Sequence, residues 1–115
     1  MEEIIKRGDL FYANLSGAIG SEQQGNRPVI IVQNDTGNQY SPTTIIVPLT
    51  KKINRKTKLP THLNLKSSQY IKYDSTVLTE QIRVIDKRRL TRKVGSLDIN
   101  IMKLIEQKMR IAIEI

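Results

Sequence analysis

The sequence predicts a mainly β domain with a C-terminal helix, folded as a small, strongly twisted barrel with the helix docked outside it. Short stretches rich in Ile, Val and Thr are separated by clusters of turn-forming residues, and only the C-terminal stretch repeats with a helical period. At 115 residues the chain is large enough for one modest core, so we expect a single domain over residues 1–115. Periodicity alone does not choose between an SH3-like barrel and an OB-fold.

The N-terminal part predicts two strands joined by a long loop. Lys6–Leu15 alternates with a period of two, which indicates a strand. Ser16–Asn26 follows as a loop with three glycines, and a loop of this length is commonly a functional lid or a disordered tip. Val29–Gln33 is apolar and rich in β-branched residues, which predicts a central strand buried on both faces.

The middle of the chain predicts a turn and a second buried strand. Residues 34–38 are dense in turn formers. Thr43–Thr50 is predicted to be a buried strand, in which Pro48 indicates a bulge or an edge position. Three further short elements are predicted beyond it: a strand at Thr61–Leu65, a helical turn at Ser67–Lys72, and a strand at Ser75–Gln81 that Ile82–Asp86 continues or pairs with.

Two helix starts are indicated towards the C-terminus. Asp86 stands where an N-cap would begin a short helix through Leu90. Ser96 is predicted to cap the final helix, with Asp98 favourably placed in its first turn. The apolar stripe that would lie on the sheet consists of Leu97, Ile101, Ile105, Met109 and Ala112.

The charge of the chain is strongly positive and unevenly distributed. The net charge is +8 and the pI is near 9.9. Lys51–Lys58 carries five cations and no acid, and Arg83–Lys93 carries six cations and one acid. Such clusters suit a polyanion such as nucleic acid, and Lys56 and Lys58 are candidates for phosphate contacts. With four tyrosines and one phenylalanine, phosphate and hydrogen-bond contacts are favoured over aromatic stacking.

The composition also indicates the compartment. The chain has no cysteine, which excludes disulfides and thiolate metal sites and fits a reducing environment. No apolar run approaches the ~20 residues of a membrane span, and the N-terminus lacks the apolar core of a signal peptide. We therefore expect a cytoplasmic protein without a membrane anchor.

Two predicted strands each have, at one end, a polar side chain of a kind that can bind phosphate. Arg27 stands at the mouth of a strand, and Pro28 restricts its backbone to extended geometry. A guanidinium fixed in this way can bind a phosphate through two parallel hydrogen bonds and stays charged. Thr50 ends the next strand with a hydroxyl and is followed by Lys51 and Lys52.

The sequence lacks the residues of several common catalytic schemes, which limits the kinds of reaction that the protein could catalyse. His62 is the only histidine, so a two-histidine acid–base scheme is not available, and we interpret it as a structural or exposed residue. The sequence has no zinc-protease motif, no carboxylate cluster resembling a two-metal nuclease and no phosphate-binding loop, so we expect no metal and no cofactor. If the polyanion is RNA, the substrate supplies its own nucleophile, because a 2′-hydroxyl attacks the adjacent phosphate when a site orients it and stabilises the developing charge.

Four segments together resemble one known family. RGDLFYANLSGAIGSEQQGNRPVIIVQND is followed in order by YSPTTIIVPLT, LPTH and LTEQIRVIDKRRL. This series is similar to the MazF/PemK family of toxin endoribonucleases and extends over almost the whole chain. The resemblance implies the small SH3-like barrel of the MazF, PemK and CcdB fold, forming a homodimer through a face that contains part of the sheet.

The resemblance also implies roles for particular residues. Arg27 and Thr50 match the catalytic pair of the family, in which the arginine also takes part in proton transfer. The base-reading positions of the family match Ser21, Glu22, Glu80 and Gln81. A glutamine offers both a donor and an acceptor to a base edge, and a glutamate can accept from an exocyclic amine. Two segments depart from the family pattern: Gln24-Gly25-Asn26 and the very basic loop before Leu59. They put in question the mobility of the first loop, Ser16–Asn26, and the RNA sequence that the protein prefers.

The sequence therefore predicts the toxin of a type II toxin–antitoxin system, a homodimeric and metal-independent endoribonuclease that cleaves single-stranded mRNA at specific sequences. Its partner would be a cognate antitoxin whose acidic, partly disordered tail binds the basic groove. Two alternatives stay open, because a fold does not fix a function. A gyrase-poisoning toxin of the same fold would need neither Arg27 nor Thr50, and a non-catalytic RNA-binding module would leave RNA intact.

Overall fold

The protein is built on one antiparallel sheet, and its last helix packs against that sheet. The computed structural model describes residues 4–51 and 59–115. In this part of the chain the strands are β1 (Asp9–Asn14), β2 (Asn26–Ile31), β3 (Thr43–Thr50), β4 (His62–Leu65), β5 (Ser75–Leu78), β6 (Arg83–Asp86) and β7 (Leu90–Ser96). Their order is β4-β5-β3-β2-β1-β7, and β6 pairs with β3 off this path. The mainly β fold with a C-terminal helix is therefore as predicted.

Two helices and two 3₁₀ turns complete the described residues. The helices are α1 (Asp35–Tyr40) and α2 (Ile99–Ile113), and the 3₁₀ turns are Thr79–Gln81 and Lys87–Arg89. Within residues 4–51 and 59–115, neither helix has the length and apolar character that a membrane span requires.

The alternation of side chains along the strands builds a separate core on each face of the sheet. On one face, α2 contributes Met102 and Ile105 to a core whose sheet residues include Leu10, Ile30, Val47, Leu49, Leu65 and Val77. On the opposite face, a second core contains Phe11, Ala13, Leu15, Val29, Ile31, Ile46 and Ile85. We call these the helix face and the far face. Because successive residues of a strand point to opposite faces, residues two apart share a face.

β3 is the strand on which the topology depends, because it has different partners along its length. Its first half, Thr43–Ile46, pairs with β6, and its last two residues, Leu49 and Thr50, pair with β5. Pro48 pairs with Val29 of β2 on the other side. Since proline has no backbone N–H, it is tolerated here at the junction between the two partner strands, rather than at the bulge or sheet edge expected from the sequence.

Several local predictions were wrong because tertiary contacts decide them. Residues 34–38 are not a simple turn but begin α1, where the side chain of Asn34 accepts a hydrogen bond from Gly37 N. Ser67–Lys72 forms no helical turn, although Ser68 N donates to Ile71 O. The strand predicted at Ser75–Gln81 ends at Leu78 and continues as the first 3₁₀ turn. β7 was not predicted, because most of its side chains are polar and exposed, and only its ladder with β1 defines it.

The caps of the C-terminal elements agree with the prediction in one case and differ in the other. Asp86 caps the second 3₁₀ turn, where its carboxylate accepts from Arg88 N at 2.8 Å. Ser96 does not cap the final helix, because its hydroxyl donates to Asp9 Oδ1 at 2.7 Å and its backbone belongs to β7. Asp98 is the cap instead, and its carboxylate accepts from Ile101 N at 3.0 Å.

The cap of α2 gives a test of this assignment. Replacing Asp98 with alanine leaves the first N–H groups of α2 without a side-chain acceptor, so we expect the free energy of unfolding to fall by about 1 kcal/mol. Asp98→Asn keeps an acceptor at the cap and is the matched control, with a loss of only a few tenths. Urea denaturation of both variants measures the difference. An Asp98→Ala protein as stable as wild type would contradict the assignment.

Candidate functional site

Arg27 and Thr50 are brought to the same place by the register between β2 and β3. The ladder pairs Val29 with Pro48 and Ile31 with Ile46. The same register, extended two residues beyond Val29, sets Arg27 opposite Thr50. Opposite residues of an antiparallel pair point to the same face, with Cβ atoms about 4.5–5.5 Å apart. The guanidinium and the hydroxyl therefore share one position on the far face, which we call the Arg27–Thr50 position.

Both side chains keep hydrogen-bonding capacity at this position. Arg27 Nε donates to Gln24 O at 2.8 Å, and its two terminal nitrogens have no hydrogen bond or ion pair with any described residue. Thr50 is buried, its backbone is held in the ladder with Thr76, and its hydroxyl has no hydrogen-bond partner among residues 4–51 and 59–115. A charged fork beside a hydroxyl can donate to two or three oxygens of one anionic group.

A groove of about 520 Å³ brings together four more of the predicted site residues. It is lined by Ser21 and Glu22 of the first loop and by Glu80 and Gln81 of the first 3₁₀ turn. Neither Arg27 nor Thr50 lines this groove. Pro48 does, and it lies two residues before Thr50 on the same face of β3. The groove therefore adjoins the Arg27–Thr50 position along β3.

The first loop is tied across this groove by the side chain of Gln81. Gln23 N donates to Gln81 Oε1 at 2.8 Å, and Gln81 Nε2 donates to Ser21 O at 3.3 Å. Glu22 accepts from Ile19 N at 2.7 Å and so stabilises a turn within the loop. The amide of Gln81 is thus engaged with the loop backbone through both its oxygen and its nitrogen.

Glu80 is held by the residues that begin β4. Thr61 Oγ1 donates to Glu80 Oε1 at 2.8 Å, and His62 Nε2 lies 3.0 Å from Glu80 Oε2. Burial is the largest single effect and raises the pKa of Glu80, but the hydrogen bonds from Thr61, His62 and a backbone N–H, with the charge of His62, together lower it by more, so the pKa lies below its ordinary value. Glu80 is therefore an acceptor at neutral pH. The His62 side chain is 7% exposed and supports Glu80, in line with a structural role.

Two residues of the groove were missed by the sequence reasoning. Arg83 lines the groove, and its guanidinium has no hydrogen bond or ion pair with a described residue. The sequence analysis included it only in the basic segment Arg83–Lys93, although its place two residues after Gln81 indicated that it lies near the predicted site. Gln23 also lines the groove, and its Oε1 is buried without a hydrogen-bond partner in the described chain.

The roles expected for Lys56 and Lys58 and the expectation that no metal is bound stay predictions. Lys56 and Lys58 lie outside the described residues. For metals, the described ranges 4–51 and 59–115 contain no group of three or more His, Cys, Asp or Glu side chains in a position to hold an ion.

Comparisons with known proteins agree on one family. Residues 6–113 match the family described as PemK-like, MazF-like toxin of type II toxin–antitoxin system. The chain is 47% identical to Endoribonuclease EndoA of Bacillus subtilis (strain 168), over 96% of this chain and 95% of that protein.

Solved structures give the same fold. MazF from Deinococcus radiodurans superposes with a TM-score of 0.84 at 19% identity, over 99% of this chain and 100% of that one. A mycobacterial endoribonuclease in complex with its cognate antitoxin matches with a TM-score of 0.77 at 21% identity, over 96% of each chain.

The environment of Glu80 gives a test with a defined sign. Because folding lowers the pKa of Glu80, its ionised form stabilises the fold above the pKa of an unfolded glutamate. This contribution is lost as the pH falls through the lowered pKa. Thr61→Val removes one hydrogen bond to the carboxylate, so the pKa of Glu80 should rise, as followed by NMR titration of the side-chain carboxyl. Thr91→Val, on the distant β7, is the control; equal pKa values in both variants would contradict the assignment.

Proposed function

The chain belongs to the family of PemK-like, MazF-like toxins of type II toxin–antitoxin systems, and we propose that residues 1–115 form one toxin domain that cleaves single-stranded mRNA at a preferred sequence without a metal ion. The protein is an endoribonuclease toxin, since the family match spans residues 6–113 and the relative with 47% identity is an endoribonuclease. The observation that carries the finer proposal is the Arg27–Thr50 position, where an arginine and a hydroxyl adjoin a groove lined by hydrogen-bonding side chains.

We assign the catalytic role to Arg27 and Thr50. In the proposed reaction, the 2′-oxygen of the RNA forms a bond to phosphorus, and the bond from phosphorus to the 5′-oxygen of the next nucleotide breaks. The 2′-hydroxyl loses a proton and the leaving 5′-oxygen gains one, so the products are a 2′,3′-cyclic phosphate and a 5′-hydroxyl. Arg27 and Thr50 donate hydrogen bonds to the non-bridging oxygens, where negative charge develops as the 2′-oxygen attacks.

Base recognition is assigned to the groove. Ser21, Glu22, Glu80 and Gln81 line it together, and each offers hydrogen-bonding groups of a kind that can read a base edge. Glu80 is ionised and can accept from an exocyclic amine, with one of its oxygens already bonded to Thr61. Lys56 and Lys58 belong to the five-cation segment and would contribute affinity through phosphates rather than base choice.

The partners follow from charge and from family membership. With a net charge of +8, the protein suits both RNA and an acidic chain segment, and a solved structural relative is in complex with its cognate antitoxin. We therefore propose that a cognate antitoxin with an acidic tail binds this protein and competes with RNA for the same cations. The proposed active form is a homodimer in the cytoplasm, where mRNA is translated.

The catalytic assignment predicts a loss of cleavage without a loss of folding. Arg27→Ala should lower the single-turnover rate on a long RNA by ~10²–10³, because the developing charge loses its principal donor. Thr50→Val keeps the shape of the side chain and should lower the rate by about 10², for the same reason. Arg110→Ala removes an exposed arginine from α2 on the helix face and is the control. Full cleavage by a folded Arg27→Ala protein would overturn the mechanism.

The nature of the nucleophile gives a second prediction. Cleavage should persist in EDTA, and a substrate with a single 2′-deoxy sugar at the cleaved position should bind but resist cutting. Mapping of the ends should give a 2′,3′-cyclic phosphate and a 5′-hydroxyl. Inhibition by EDTA that magnesium relieves, or cutting of the deoxy substrate, would refute this chemistry.

RNA that is bound and left intact by wild type would favour a non-catalytic module, and intact RNA with gyrase inhibition would favour a gyrase poison.

A further inference from the structure

The row of residues that contains Arg27 and Thr50 continues across two more strands. Thr50 of β3 is paired with Thr76 of β5, and Thr76 is paired with Asn64 of β4. Paired residues share a face, so Arg27, Thr50, Thr76 and Asn64 form one line of polar side chains on the far face. The residues that alternate with them, Leu49, Val77 and Leu63, belong to the core on the helix face.

This half of the far face differs from the half formed by β1, β2 and β6. There the second core covers the sheet with apolar side chains such as Phe11 and Val29. On β5 the corresponding residue is Thr76, a threonine that is only 2% exposed. Its hydroxyl donates to Asn64 Oδ1 at 2.9 Å. A buried hydroxyl is therefore used to orient the amide of an exposed asparagine.

The hydrogen bond from Thr76 determines what Asn64 can offer to a ligand. Because Asn64 Oδ1 accepts from Thr76, this bond fixes the orientation of the amide, and the two protons on Asn64 Nδ2 are its donors to a ligand. Nδ2 has no hydrogen-bond partner among the described residues, and the Asn64 side chain is exposed. Asn64 is therefore a pre-oriented donor at the end of the polar row.

The spacing of the strands sets which part of a substrate this donor can reach. Neighbouring strands lie ≈ 4.7–4.9 Å apart, so Asn64, two strands beyond Thr50, is about 10 Å from it. At this distance Asn64 cannot contact a phosphate bound at the Arg27–Thr50 position, but it can contact the nucleotide next to that phosphate. Neither Asn64 nor Thr76 lines the groove of Ser21, Glu22 and Gln81, so the contact is additional to those of the groove.

We propose that Asn64 is a substrate-binding residue that donates a hydrogen bond to an acceptor atom of the nucleotide adjacent to the cleaved phosphate, and that Thr76 is the positioning residue that orients it. The acceptor is either a base atom or a phosphate oxygen, which share this chemistry. This inference rests on the proposed function, because it takes the Arg27–Thr50 position as the site of cleavage.

Substitutions at Asn64 test the contact directly. Affinity is measured with an RNA made uncleavable by one 2′-deoxy sugar, and kcat and KM are measured with the cleavable form. Asn64→Ala should weaken binding about three- to tenfold, the size of one net hydrogen bond, and should raise KM more than it lowers kcat. Asn64→Asp still accepts from Thr76 but presents a carboxylate to the RNA, so binding should weaken by about tenfold or more. Asn100→Ala, an exposed asparagine of α2, is the control.

A series of RNAs that differ in the bases flanking the cut separates the two kinds of acceptor. If Asn64 donates to a base, the preference of wild type at one flanking position disappears in Asn64→Ala. If Asn64 donates to a phosphate, binding weakens equally for all bases. Both results support the contact and identify its source. Asn64→Ala and Asn64→Asp proteins that match Asn100→Ala in affinity and KM would overturn it.

The positioning role of Thr76 has a separate readout. Thr76→Val removes the hydroxyl, so it should reproduce the effect of Asn64→Ala on KM and on flanking preference, and the double variant should be no weaker than either single one. A Thr76→Val protein with a lowered Tm and an unchanged KM would show that Thr76 serves the fold only. Wild type that fails to cleave RNA refutes the proposed function, whereas wild type that cleaves while the Asn64 variants match the control refutes this inference alone.

Discussion

The structure depends on the antiparallel register that joins β2, β3 and β5. Because the side chains of a strand alternate between two faces, this one register assigns every residue of the three strands to the helix face or the far face. Val47, Leu49 and Val77 form the core under α2, and the residues between them are left to the far face. A slip of one residue between β2 and β3 would bury Arg27 under the helix and remove it from Thr50. The same register therefore forms the apolar core and brings together Arg27 and Thr50, the proposed catalytic pair.

Much of this arrangement can be predicted from the sequence, because it follows from short-range patterns. β2 and β3 each contain a run of three Val or Ile residues, so their positions and the polar residues at their ends are evident. β7 was missed because its side chains are mostly polar and its ladder partner β1 is more than seventy-five residues away, as Tyr12 and Arg92 illustrate. Ser96 is of a residue type favoured at an N-cap and has Asp98 two residues later, but Asp9, far away in the sequence, accepts from its hydroxyl.

The residues of the candidate site could also be predicted in part. Ser21, Glu22, Glu80 and Gln81 were predicted through family resemblance, and the structure brings them into one groove. That Gln81 bonds to the loop backbone at Gln23 could not be predicted, because the contact spans 58 residues and involves no pattern in either segment. The polar row through Thr76 and Asn64 was missed for a different reason. Each residue is unremarkable in its own strand, and only the pairing of three strands shows that they share a line with Thr50.

The hydrogen bonds between Gln81 and the first loop affect both how tightly and how fast a ligand binds in the groove. A ligand that takes the place of the loop on Gln81 binds only molecules in which the loop has released Gln81, so its measured dissociation constant equals the intrinsic one divided by the released fraction. The same closed population slows association relative to a groove that is always open. A ligand that contacts only the Arg27–Thr50 position does not carry this cost. In the proposed reaction, the phosphate would thus be bound at once, whereas contacts to the bases would wait for the loop to open.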